Sequence, residues 1–222
     1  MTTTALILAA GAGQRLGSIP KCLVRLGGRT LLQRLLESLQ ALPAVNTVLV
    51  VGGPHGAAIL RHLNTLPRAL WPLVVRNPQP GDDPSDSLHT GLRHLTAMPD
   101  RLLVLLADLP LLDASALQAA LDAFDRRERG LHALVPTVNG QPGHPVVLDE
   151  IACATLRGRG HGGLRAWRRD QPDAVAAWPT DDPRHVRDLD TPDDLERLAQ
   201  DTGLPVSLPS TEAPPPSGAV IG

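Results

Sequence analysis

Leu6-Ile7-Leu8-Ala9-Ala10-Gly11-Ala12-Gly13-Gln14-Arg15-Leu16-Gly17-Ser18-Ile19-Pro20-Lys21 decides how this 222-residue chain is read. An apolar run too short for a helix passes straight into a loop with three glycines, which is the pattern of a buried strand feeding a ligand-binding turn. Glycines allow close backbone approach and positive φ, so successive N–H groups can surround phosphate oxygens, and Arg15 and Lys21 add positive charge. Two familiar glycine-rich loops do not fit. The dinucleotide fingerprint GxGxxG fails because the third glycine falls one position late, and Val51 is followed by Gly52-Gly53-Pro54 where an acidic residue is required. A P-loop needs Gly-Lys followed by Ser or Thr, and the chain contains no such tripeptide.

Outward from that loop, apolar runs alternate with helical patterns. Residues 5–9, 47–51, 73–75, 102–107, 132–136 and 145–148 read as buried strands, and 31–41, 57–63, 87–97 and 114–127 carry apolar side chains at helical spacing. The βαβαβαβ order predicts a single α/β domain of Rossmann-like type: a mainly parallel, mixed central sheet with helices on both faces. A helix is expected near 149–157, then a glycine-rich turn, a short strand at 174–178, and a last helix opened by Thr191 with Pro192 at its first position and running to Ala199. This domain is expected over residues 1–203, with 204–222 as a flexible Pro- and Ser-rich tail that cannot bury enough surface to offset ordering.

Composition narrows the function classes. Twenty-one basic residues against 23 acidic ones, a net charge of −2 and no basic run argue against nucleic acid as a partner. No apolar run approaches the roughly 18 residues needed to span a bilayer, so no membrane association is expected. Residues 1–10 lack the positive start of a secretory signal, and the two cysteines, Cys22 and Cys153, form no disulfide or metal pattern; a cytoplasmic location is the expectation. The basic residues are 20 arginines and one lysine, Lys21. A lysine in a chain that otherwise uses arginine, placed at the end of the glycine loop, is a functional candidate, because the two side chains are not equivalent.

Two further segments carry chemistry. Leu102-Leu103-Val104-Leu105-Leu106-Ala107-Asp108-Leu109-Pro110 is an apolar strand ending in one carboxylate, which needs a partner there, such as a divalent cation; Asp113 is available to cap the next helix instead. In Arg187-Asp188-Leu189-Asp190-Thr191-Pro192-Asp193-Asp194-Leu195, Asp190 either begins the helix or, if the sheet brings it opposite Asp108, shares a metal with it.

The ordered segments LILAAGAGQRLGSIPK, SDSLHTGL, LLVLLADLP, NGQPGHPVVL and RDLDTPDDL resemble the MobA-like NTP transferase family, and within it most closely the molybdenum cofactor cytidylyltransferases. The resemblance covers residues 4–200. It implies a Rossmann-like NTP transferase fold, an NTP and a phosphorylated small-molecule acceptor (the molybdopterin cofactor) as ligands, release of pyrophosphate, Mg²⁺ as cofactor and a recipient molybdoenzyme as partner. Residue by residue it assigns Leu8, Ala9, Ala10 and Gly11 to the nucleotide cradle. Gly13, Arg15 and Lys21 fall to the phosphates, Ser87 to the base, Asp108 to magnesium and Asp190 to a second metal position, with Asp188 as the alternative. Ala10 stands where guanylyltransferases of the family carry Gly, which tilts the nucleotide toward CTP. The DAARP signature of methylerythritol phosphate cytidylyltransferases is absent. Where the cofactor enzymes show Gly-Asp-x-Gly after the GHP segment this chain has Gly158-Arg159-Gly160-His161-Gly162-Gly163, and Asp82, Asp83 and Asp86 crowd the approach to Ser87. His144, in Gln141-Pro142-Gly143-His144-Pro145, is read either as an acceptor contact or as a histidine hydrogen-bonded in a strand-edge turn. A sugar phosphate or phosphorylated acid as acceptor, and a noncatalytic cofactor-delivery role, are the alternative readings.

Overall fold

The computed structural model describes residues 1–78, 84–159 and 162–209. In chain order its elements are β1 (Thr3–Ala9), β2 (Arg25–Leu26), β3 (Arg29–Thr30), α1 (Leu31–Gln40), β4 (Val45–Gly52), α2 (Gly56–Leu63), β5 (Leu73–Asn77), α3 (Ser85–His94), β6 (Arg101–Leu106), α4 (Ala114–Asp125), β7 (Ala133–Val138), β8 (Gln141–Pro142), β9 (Val146–Leu148), α5 (Glu150–Arg159), α6 (Leu164–Asp170), β10 (Val175–Pro179), α7 (Pro192–Thr202) and β11 (Val206–Ser207).

The main sheet runs β10-β7-β9-β6-β1-β4-β5, with β8 paired to β7. β6, β1, β4 and β5 are mutually parallel, and β9 lies antiparallel between β6 and β7. Every residue of β1 is buried, because helices cover both faces and alternation gives each its own core. Ala5, Ile7 and Ala9 meet the helices α1, α2 and α4 through residues such as Leu35, Ile59 and Leu117. Leu6 and Leu8 meet the opposite layer, with Leu88 and Leu92 of α3, Leu156 of α5 and Trp167 of α6.

Helix starts follow local chemistry. The Thr30 hydroxyl accepts from the Gln33 amide to open α1, and Leu31, Leu32, Leu35, Leu36 and Leu39 then form its buried stripe. Asp113 caps α4 by accepting from the Ala116 amide, so the capping role is filled and Asp108 is left for other work. Thr191 and Asp194 form a reciprocal capping box at α7, with Pro192 at the first position, so Asp190 is not the residue that begins the helix.

The mainly parallel sheet agrees with the sequence reading, and three details correct it. α3 spans 85–94 rather than 87–97. Residues 164–170 form α6, held by Trp167, which is 2% exposed. The tail does not begin after Gly203. β11 pairs antiparallel with β2 and with β3 completes a second, three-stranded sheet, while the Val206 side chain packs against the cluster of Leu16, Leu26, Leu31 and Leu189. Backbone pairing with β2, the bond from the Gly27 amide to the Pro205 carbonyl and the Val206 side chain together hold this stretch. Residues 210–222 of the expected tail, Asp82 and Asp83, and the Gly160-His161 part of the unusual turn lie outside the described residues. Among the described residues no helix is long and apolar enough to cross a membrane.

Candidate active site

Because β1, β4 and β6 are parallel, their carboxyl ends lie side by side, and the chain leaves each of them at the same edge of the sheet. Two adjoining hollows open there and share Ala10, Gly11, Gly13 and Lys21. The inner one, about 200 Å³, is lined by Leu8, Ala9, Ser87, Leu106 and Asp108 among others. The outer one, about 620 Å³, continues past Gln14, Arg15, Pro54 and Asp190. The nucleotide and metal positions expected from the sequence are thus brought to one cleft, including Asp190, which reaches it from 82 residues beyond Asp108.

Gly13 has φ 62°, and a Cβ there would stand 2.1 Å from the Ile19 carbonyl oxygen, so the loop folds back on itself only with glycine. The amides of Leu16 and Ser18 both donate to the Gly13 carbonyl, at 3.0 and 2.9 Å. Lys21 is thereby carried back into the cleft. Ser87, at the start of α3, is buried, and its hydroxyl accepts from the Asn77 amide nitrogen at 3.1 Å.

Lys21 Nζ is the electrostatic centre. It lies 3.3 Å from Asp108 Oδ2 and in hydrogen-bond contact with Asp190 Oδ1, while an Arg15 guanidinium nitrogen lies 3.1 Å from Asp190 Oδ2. Burial works to lower the Lys21 pKa, but the charges of Asp108 and Asp190 outweigh it and the net shift is upward, so this lysine is a fixed cation and not a base. Asp108 is moved upward in turn, by burial, against the opposing pull of Lys21. Asp188 is exposed, yet its carboxyl is also pushed up, first by partial burial and then by the charges of Asp108 and Asp190. Two carboxylates therefore contact the lysine, and the charge of Asp188 acts on them from farther off.

Asp108 Oδ1 is buried and has no hydrogen-bond partner among the described residues. An oxygen lone pair left that way is costly. A hard divalent cation, which takes oxygen ligands, suits Asp108 and Asp190 once Lys21 turns toward phosphate oxygens. The described residues contain no ready-made group of three or more His, Cys, Asp or Glu side chains for a metal, so further ligands would have to come from phosphate or water.

His144 does not line the nucleotide cleft. It precedes β9, whose Val146 pairs with Val104, and its Nδ1 lies 3.3 Å from the Val104 carbonyl; burial pushes its pKa down. That puts it on the far side of β6 from the glycine loop, at the same sheet edge. The sequence reading missed His55, which lines the inner hollow and whose Nε2 meets the Ala12 carbonyl at 3.0 Å. It also missed His185, which is fully buried beside His144. A histidine after the end of a parallel strand was the available signal for the first, and no local signal marks the second.

The MobA-like NTP transferase domain matches residues 5–176. The bifunctional protein GlmU of Neisseria meningitidis serogroup C is 38% identical over 138 residues, which is 61% of this chain and 28% of that protein. The chain thus aligns with under a third of that relative. Among solved structures, the homologue of Mycobacterium tuberculosis Rv0371c from Mycobacterium sp. strain JC1 superposes with a TM-score of 0.72 at 27% identity, covering 90% of this chain and 96% of that one. The molybdopterin-guanine dinucleotide biosynthesis protein A of Archaeoglobus fulgidus gives 0.66 at 21% identity, over 91% and 99%.

Proposed function

The chain belongs to the MobA-like NTP transferase domain family, and we propose that it transfers a nucleoside monophosphate, CMP from CTP, to the phosphate of a molybdopterin-type acceptor. The observation that carries the reading is the single lysine of the chain, held between Asp108 and Asp190 at the mouth of the glycine-loop cleft.

The glycine-loop amides and Arg15 hold the triphosphate, and Ser87 with Leu8–Gly11 bounds the base. An oxygen of the acceptor phosphate attacks the α-phosphorus in line. The new O–P bond forms as the bond from the α-phosphorus to the bridging oxygen breaks, and pyrophosphate leaves with the electron pair. A phosphate nucleophile is ionised at neutral pH and needs no general base, which fits a site whose central residue is a fixed cation. Lys21 then neutralises charge that develops on the leaving group. Asp108 and Asp190 would hold Mg²⁺, which supplies further neutralisation of phosphate oxygens when bound. His144, across β6 from the glycine loop, is the proposed acceptor contact on the β9 side. The product would be a dinucleotide cofactor for a recipient molybdoenzyme.

A second reading keeps the reaction and changes the acceptor to a sugar phosphate or a phosphorylated acid. The departure of residues 158–163 from the pattern of the cofactor enzymes permits it. Pyrophosphate release, measured with each of the four NTPs and a panel containing molybdopterin, sugar phosphates and phosphorylated acids, tests both. CTP- and molybdopterin-dependent release is expected; turnover with a different acceptor alone selects the second reading, and no release with any pair overturns nucleotidyl transfer.

A further inference from the structure

Asp188 and Asp190 belong to a strap, residues 183–190, that has no sheet pairing of its own, yet Asp190 must meet Lys21 from the far end of the chain. The strap carries ion pairs from Arg184 to Asp113 and from Arg187 to Asp201, and two further links tie it to the strand ends that form the site. At its far end the Leu189 amide donates to the Asp108 carbonyl at 3.3 Å. At its near end is His185, with 0% exposure. The His144 amide donates to the His185 carbonyl at 2.8 Å, and His185 Nδ1 lies 2.8 Å from the His144 carbonyl. A carbonyl only accepts, so Nδ1 carries the proton and the bond pair is reciprocal. The backbones come this close because residue 143 is glycine: a Cβ there would stand 2.3 Å from the His185 carbonyl oxygen. The ring is packed edge-on against Trp178, centroids 5.3 Å apart.

The other ring nitrogen touches nothing that would justify burying an imidazole for its own sake. Nε2 is buried without a hydrogen-bond partner among the described residues, and Asp182 Oδ2 stands 4.0 Å away. A hydrophobic side chain of this size would avoid that unsatisfied nitrogen, so what the imidazole contributes is the bond to the His144 carbonyl. We propose that His185 is a positioning residue: its paired bonds to His144 fix the strap to the head of β9, so that Asp190 is delivered to Lys21 and the acceptor side is locked to the nucleotide side. The kinetic consequence rests on the nucleotidyltransferase reading, whereas the placement of Asp190 does not.

The chain's solitary lysine makes the test site-specific. Acetylation of Lys21 by an N-hydroxysuccinimide ester, followed by mass spectrometry of its peptide, reports whether the amine is still held between two carboxylates. His185→Gln moves the amide away from the Nδ1 position and His185→Asn keeps a donor there. We expect His185→Gln to acetylate Lys21 at least fivefold faster than the parent and, with turnover established, to lose at least tenfold in kcat with the KM for NTP within threefold. His185→Asn should restore both to within threefold of the parent. Gly143→Ala, which presses on the same contact from the other side, should reproduce the glutamine phenotype. Parent-like labelling in a folded His185→Gln protein overturns the proposal, as does a loss that asparagine fails to rescue. If His185→Gln does not fold, hydrogen exchange on the parent decides: the amides of His144 and Leu189 should show protection factors within threefold of each other, and independent opening overturns the strap. Absence of turnover in the parent removes the nucleotidyltransferase reading and leaves the labelling result standing.

Discussion

The two sides of the cleft are built in different ways. The glycine-loop side is made by parallel strands, each of which hands its loop to the same edge, and on the proposed reading its recognition groups are backbone amides of that loop. The other side is assembled from an antiparallel strand, β9, and a strap that returns from beyond β10, joined by side-chain and single backbone bonds rather than ladders. A ladder distributes its stability over many bonds, whereas a strap depends on a few. Binding of the nucleotide should therefore tolerate damage that turnover does not, and Lys21, which touches both sides, is where the difference is read.

Asp108→Asn is the most severe way to separate them. It removes a charge from the junction at nearly constant shape, and turnover should fall by about a thousandfold, in the upper range for loss of one charge-stabilising group. CTP binding without metal should change little. Stability should move the other way. Burial raises the Asp108 pKa above the ordinary 3.8, so the folded state holds its proton more tightly than the unfolded state does. The parent then loses stability as pH rises from about 4 through the folded value, and the asparagine variant does not. Urea denaturation of both proteins between pH 4 and 7 should show the variant gaining on the parent as pH increases. A constant difference across that range would mean that Lys21 fully compensates the carboxylate.

Lys21→Arg preserves charge and should still reduce turnover about a hundredfold, close to 3 kcal/mol. A compact ammonium fits between Asp108 and Asp190, and a planar guanidinium presents a wider fork. Steady-state kinetics checks it: activity within twofold of the parent would mean that the position asks only for a positive charge.

The same division explains what was legible in the sequence. The β1 loop, Asp108 and the helix caps at Asp113 and Thr191 are local patterns, and each stands where its pattern predicts. Whether Asp190 comes opposite Asp108 is not legible in the sequence, because proximity across 82 residues is a property of the strap and not of any segment; the structure places Lys21 in contact with both. His185 was invisible for the same reason: its partner is a carbonyl 41 residues away, and a buried histidine in Pro-Arg-His-Val reads like a surface one. Two misses did carry a signal. Leu26-Gly27-Gly28-Arg29 is a two-residue glycine turn between short alternating segments, the mark of the β2–β3 hairpin. Helix α6 announces itself only through Trp167, since its other positions are mostly charged.

On the nucleotide side, preference for CTP over GTP should be modest, about tenfold, because Ala10 changes the cleft by one methyl group rather than by a hydrogen-bonding group. The melting-temperature rise at equal concentration of CTP and GTP, each with Mg²⁺, reads it directly. A larger rise with GTP would place base selection elsewhere, and Ala10→Gly should narrow the gap if the methyl is responsible.

The smallest effect expected is at the end of the chain, and it tests whether the two sides are tied together by the second sheet. Truncation after Pro209 serves as the reference for a shorter cut. Truncation after Gly203 also removes β11, the bond from the Gly27 amide to the Pro205 carbonyl, and the Val206 side chain from a cluster that contains Leu16 of the glycine loop and Leu189 of the strap. Withdrawing one partly buried valine from that cluster costs about 1 kcal/mol, which lowers the melting temperature of a domain this size by about 2–4 °C. Since the cluster touches loop and strap together, the shorter protein should lose turnover by a few-fold more than it loses CTP affinity. Equal loss of both would mean that β11 merely covers an edge; a melting temperature unchanged from the Pro209 truncation would mean that β11 contributes nothing to stability, and that the link between the two sides is left to Lys21 and the strap alone.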